Sequence, residues 1–165
     1  MARTDGEQGD ILEAITKALI DNIGGLSAKN CFISIYPNPP YKIPDNLFVT
    51  VSPAASNYPE EFTSGGGQNQ CTEDSSVLVT IFSRFQCNRA GQEREALNDQ
   101  NRGILQMKRS ILKTLCSLDL TVNANFELRN QMQPKRCGAP EYVGDEQLLT
   151  VSMEFSVTWD WDLTA

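Results

Sequence analysis

Histidine is absent from all 165 residues. That removes both the commonest metal ligand and the imidazole base of the Ser-His and Cys-His nucleophile schemes. Cysteine is sparse and irregular: Cys31, Cys71, Cys87, Cys116 and Cys137 make an odd number with no CxxC pair. This spacing argues against a disulfide framework or a zinc ribbon and predicts free thiols in a reducing cytoplasm. No apolar run reaches the ~18 residues a membrane span needs, and the opening Met1-Ala-Arg-Thr-Asp-Gly-Glu-Gln is polar, so neither a secretory leader nor a membrane segment is expected. Positive charge is scarce, with 14 Lys and Arg against 21 Asp and Glu and a net charge of −7. Scattered cations offer no basic footprint for holding phosphates by counterion release. A like-charged wall can still surround nucleic acid without binding it.

What is present is an ordinary globular composition, 40% hydrophobic and 21% charged. A chain of this length removes roughly 70% of its unfolded surface from water on folding, enough for one domain over residues 1–165. No internal repeat or linker interrupts it.

Residues Gln8 to Ile23 predict an amphipathic helix, with Ile11, Leu12, Ile15, Leu19 and Ile23 on one face. Thr4 with Glu7, or Asp10, supplies a cap, and Gly24-Gly25 ends the run. Cys31 to Tyr36 alternates and then meets Pro37, Pro39 and Pro40, the pattern of a short edge strand. Leu47 to Ala54 predicts a second strand. From Ala55 to Ser75 periodicity is lost around Gly65-Gly66-Gly67, which predicts an extended loop or hairpin, longer than the ~12 to 15 residues usual in compact domains. Ser76 to Gln86 predicts a central strand, and Gln92 to Ser117 a single long helix with acids early and bases late, as the helix dipole favours. A weak strand signal surrounds Phe126. Gln133 to Asp145, containing Pro134, Gly138, Pro140 and Gly144, predicts loop.

The strongest signal is the last. From Gln147 to Leu163 the chain alternates strictly, with Leu149, Val151, Met153, Phe155, Val157, Trp159, Trp161 and Leu163 on one side. At ~3.3 Å per residue this strand spans roughly 50 Å, so part of it bends or overhangs the domain. The expected fold is α+β: a mostly antiparallel twisted sheet of about four to five strands, two helices on one face, and a long loop between strands two and three.

Candidate chemistry is thin. Glu154, Asp160 and Asp162 share one strand face and invite comparison with a carboxylate metal site, but alternation alone places them there. The three glycines lack the Lys-Ser/Thr of a phosphate loop. No catalytic residue, metal site or cofactor is expected. Trp159 and Trp161 are candidates for contact with another chain, since aromatics dominate interface hot spots. With Asp160 between them, and with Phe62, Gly65, Gly66, Gly67, Arg84 and Arg89, they form the candidate subunit interface.

The order of elements resembles that of the tail terminator and tail-completion proteins of long-tailed bacteriophages. The residues carrying the likeness are Ile11 to Ile23, Phe48 to Val51, Val77 to Phe85, Leu97 to Leu115 and Leu149 to Trp159. The resemblance implies a non-enzymatic virion protein, assembled in the host cytoplasm as a homo-hexameric neck ring that ends the tail tube. Its implied partners are the tail tube and the head connector, with DNA passing through the lumen unbound. Another tail subunit, a tube or neck adaptor protein, and a carboxylate-metal hydrolase are the alternatives.

Overall fold

The computed structural model describes residues 8–36, 46–57, 70–84, 92–99, 103–117, 121–123, 126–127, 132–143 and 148–162. Helix α1 spans Gln8–Asn22. All five apolar positions that define its expected stripe are buried, joined by Ala18. It stops where the glycines begin, and Gly25 takes a φ of 90°, the left-handed geometry that ends a helix at low cost only for glycine.

Strand β1, Cys31–Ile33, pairs in parallel with β2, Leu47–Asn57. Next, β2 pairs antiparallel with β3, Gln70–Arg84, and β3 antiparallel with β8, Leu148–Asp162. The last pairing runs unbroken through fifteen residues on each strand, from Gln70 opposite Asp162 to Arg84 opposite Leu148. Along the far edge of β8 lie two short strands, β6 at Gln133–Cys137 and β7 at Glu141–Val143, both antiparallel to it. The result is an open, mixed, six-stranded sheet in an α+β fold, with a separate two-stranded unit of β4, Thr121–Asn123, and β5, Phe126–Glu127.

Two expectations change. The residues from Gln133 to Cys137 and from Glu141 to Val143, expected as loop, are strands that complete the sheet. Pro134 within the first of them fits its place at the rim, because an edge strand tolerates a residue that cannot donate to a ladder. The single long helix is two, α2 at Gln92–Asn98 and α3 at Ile104–Ser117, which brings the helix count to three and separates the early acids from the late bases. Gly103 lies at the break, and a Cβ there would sit 2.5 Å from the backbone N and O of Asp99, so only glycine permits the close approach. The segment from Ala55 to Ser75, expected as an extended loop or hairpin, is strand at both described ends: β2 continues to Asn57 and β3 begins at Gln70.

One face of the sheet packs against α1 and α3. Val49 and Val51, then Val77, Val79 and Ile81, then Val151, Met153, Phe155 and Val157 meet Ile11, Ile15, Leu19, Ile104, Ile111 and Leu115. Each such side chain stabilises the fold by roughly 1.5–3 kcal/mol when fully buried. The other face carries a smaller cluster of Phe48, Phe82 and Leu148, with Phe32 packed against it. Phe48 and Phe82 stack across neighbouring strands at 4.5 Å between ring centroids, and Phe32 follows at 6.5 Å. Burial on both faces explains why β3 reads as a near-continuous apolar run at its centre.

Candidate assembly surface

The central pair outruns its neighbours at one end. Strand β2 ends at Asn57, opposite Asp74, and β6 begins at Gln133, opposite Ser156. Beyond those points Gln70–Glu73 and Trp159–Asp162 pair only with each other among the described residues, a two-stranded ribbon projecting from the sheet. Among the described residues the last strand thus extends past its neighbours β2 and β6 in backbone pairing.

The sequence changes character where the ribbon leaves the core. On β3 the apolar stripe of Val77, Val79 and Ile81 gives way, on the same face, to Ser75 and Glu73. The Ser75 hydroxyl lies 2.6 Å from that of Ser56 and donates to Glu73 Oε1 at 3.1 Å. On the opposite face Thr158 Oγ1 donates to Asp74 Oδ1 at 2.6 Å. This polar collar pairs the buried Ser75 hydroxyl and Glu73 carboxylate within the sheet. Further down that opposite face Thr80 and Ser152, directly paired across the strands, lie 3.0 Å apart at their hydroxyls, and Lys135 Nζ donates to Ser76 Oγ at 3.3 Å.

The described candidate interface residues occupy two places on the central strand pair. Arg84 is exposed at the foot of the central pair, opposite Leu148, whereas Trp159, Asp160 and Trp161 occupy the ribbon, opposite Glu73, Thr72 and Cys71. Eleven residues of strand separate the two groups, about 35 Å at the usual rise. Phe62, Gly65, Gly66, Gly67 and Arg89 lie outside the described residues. The carboxylates considered for a metal do not converge either: Glu154 and Asp160 are six residues apart on a continuously paired strand, about 20 Å. Among the described residues no group of three His, Cys, Asp or Glu side chains is placed to hold a metal ion. Burial pushes the Cys31 thiol up to about 12, and desolvation also raises that of Cys116. Both shifts oppose thiolate formation.

Two further surfaces stand out, the second on the edge strand expected from Cys31 to Tyr36. One is the edge formed by β6, β7 and the turn between them, where residues 133–142 are all exposed and include Lys135, Arg136 and Tyr142. The other is the continuation of β1, where Ile33, Ile35 and Tyr36 are exposed. The signal for the first was the run of Pro134, Lys135 and Pro140, residues that blunt an edge strand.

No family model matches the sequence, and neither does any curated protein. Solved structures do match in fold. A chain of the virion of a native gene transfer agent particle superposes with a TM-score of 0.57 at 11% identity, covering 97% of this chain and 99% of that one. A chain from the sheath/tube terminator of an extracellular contractile injection system, in its extended state, gives 0.53 at 12% identity. It covers 95% of this chain, which spans 57% of that longer one. In fold, then, the chain is similar to a component of a phage-like virion and to a tube terminator, and the resemblance carried by its sequence pattern holds in three dimensions.

Proposed function

We propose that this chain is a structural subunit of a phage-type tail, forming a homo-hexameric ring at the neck that ends the tail tube and joins it to the head connector. The observation carrying this reading is the near end-to-end correspondence with a chain of the gene transfer agent virion, with a tube terminator second. A likeness spanning 97% of one chain and 99% of the other leaves no large insertion in which a separate activity would sit. The ribbon supports the same reading. A two-stranded ribbon is marginal alone in water, so its length is explained if a neighbouring subunit covers it. Trp159 to Trp161 are proposed as subunit contacts on that basis and Arg84 as a contact separate from the ribbon's, while Phe62, the glycines at 65–67 and Arg89 are proposed as contacts from the sequence alone.

DNA passes through the lumen without being held, as suits a chain with a net charge of −7. No cofactor or catalytic step is involved. Native mass measurement of the assembled protein is expected to give six copies. Immunogold labelling of intact particles is expected to mark only the junction of head and tail. Label distributed along the tail would defeat the terminator reading in favour of a tube subunit.

A further inference from the structure

The sheet has two open edges with complementary properties, and we infer that they pair with each other between copies of this chain. Among the described residues the outermost strands are β1 on one side and β6 with β7 on the other. Strand β1 is parallel to β2 and to β8, while β6 and β7 run opposite to β8. The two edges therefore point in opposite directions. A second copy rotated about an axis along the strands keeps its direction, so its β1 meets β6 and β7 antiparallel, the more stable way for strands to pair. Such a contact joins unlike surfaces, and it repeats until the rotation closes a ring.

The chemistry of the edges agrees. Both carry exposed large hydrophobics: Ile33 (39% exposed), Ile35 (78%) and Tyr36 (63%) on one, and Tyr142 (53%) on the other. The elements beside them differ in the sign of their charge, and β7 adds the exposed Glu141. Helix α1, which packs on β1 and β2, carries Asp10, Glu13 and Asp21 against Lys17. Strand β6 carries Lys135 and Arg136, and α3, which packs on β3, β8 and β6, carries Lys108, Arg109 and Lys113 with no carboxylate. Opposite charge on unlike edges favours head-to-tail contact and disfavours two copies meeting through the same edge. The prolines and the irregular register of β6 do not prevent this. They restrict which strand the edge accepts, a safeguard against indiscriminate pairing.

The registers also say which residues meet. Ile33 is opposite Val51, Val51 opposite Val79, Val79 opposite Met153, and Met153 opposite Cys137. Ile33 and the exposed thiol of Cys137 thus stand at the two ends of one row across the sheet.

This inference rests on the ring proposed above, and one experiment separates the two. Ile33→Cys, and Ile35→Cys for a neighbour shifted by two residues, are introduced singly and the assembled protein is oxidised with copper phenanthroline. A disulfide needs Cα atoms roughly 4.4–6.8 Å apart, so it reports direct pairing. The expected result is a ladder of covalent multimers on a non-reducing gel that vanishes when Cys137→Ser is added. An intact ring by native mass with no ladder from either position overturns the edge pairing and leaves the ring reading standing. A covalent dimer that persists with Cys137→Ser shows the introduced thiol meeting a cysteine other than Cys137 and overturns it as well. A Cys137-dependent ladder from an open-ended assembly supports the edge pairing and overturns the ring.

Discussion

Asn30 shows how one buried polar side chain joins a helix to a strand. It accepts from the Ser27 backbone N–H at 2.7 Å and from the Ser27 hydroxyl at 3.2 Å, and its Nδ2 donates to Gly25 O at 2.9 Å. Asn30→Ala orphans these partners and is expected to cost about 1–3 kcal/mol in urea unfolding. Ser52 is the opposite case: its Oγ is buried with no hydrogen-bond partner among the described residues. Ser52→Ala is therefore expected to leave stability unchanged or to raise it, and a loss beyond about 1 kcal/mol would contradict this. For Cys31 the sign follows from burial. Its thiol rises from 9.0 to about 12, so above pH 9.0 the unfolded chain loses the proton first. The contribution is fully present below pH 9.0 and declines as pH rises toward about 12. Unfolding curves of the native chain should fall more steeply over that window than those of Cys31→Ala.

At the level of elements, the join between α2 and α3 depends on a missing side chain. Because a Cβ on Gly103 would meet backbone rather than a movable side chain, Gly103→Ala is expected to destabilise by about 1–3 kcal/mol, read as a lower Tm. The ribbon makes a different prediction. Gln70–Glu73 and Trp159–Asp162 have one paired neighbour each among the described residues, whereas Val77–Ile81 and Val151–Phe155 lie within the sheet. In the free subunit the ribbon amides are expected to exchange much faster than those of the central strands and to slow on assembly. Equal protection of both in the free subunit would show that the ribbon needs no neighbour.

For the whole molecule, the separation of charge between the two sides matters more than the net value. Exposed pairs are screened beyond about 10 Å at 0.1 M salt, so assembly is expected to weaken as salt rises. Reversing Lys135 and Arg136 to Glu together should raise the concentration needed for assembly roughly tenfold, about 1.4 kcal/mol, by analytical ultracentrifugation. An unchanged threshold would show that those cations lie away from the contact.

The sequence by itself determined the elements whose burial follows local period. The stripe from Ile11 to Ile23 and the alternation from Val151 to Val157 are legible because a helix repeats every 3.6 residues and a strand every two, and one side of each is dry. Only the tertiary structure decided the rest. Pro134 to Cys137 carries no apolar alternation, since a strand at the rim is held by the backbone of β8 and all five β6 side chains stay exposed. The break at Gly103 depends on its contact with the backbone of Asp99. The distance between Arg84 and Trp159 is likewise a matter of register, which aligns β3 with β8 over their full length and sends the two to opposite ends. So too is the row from Ile33 to Cys137, which four pairings assemble from residues that no sequence period connects.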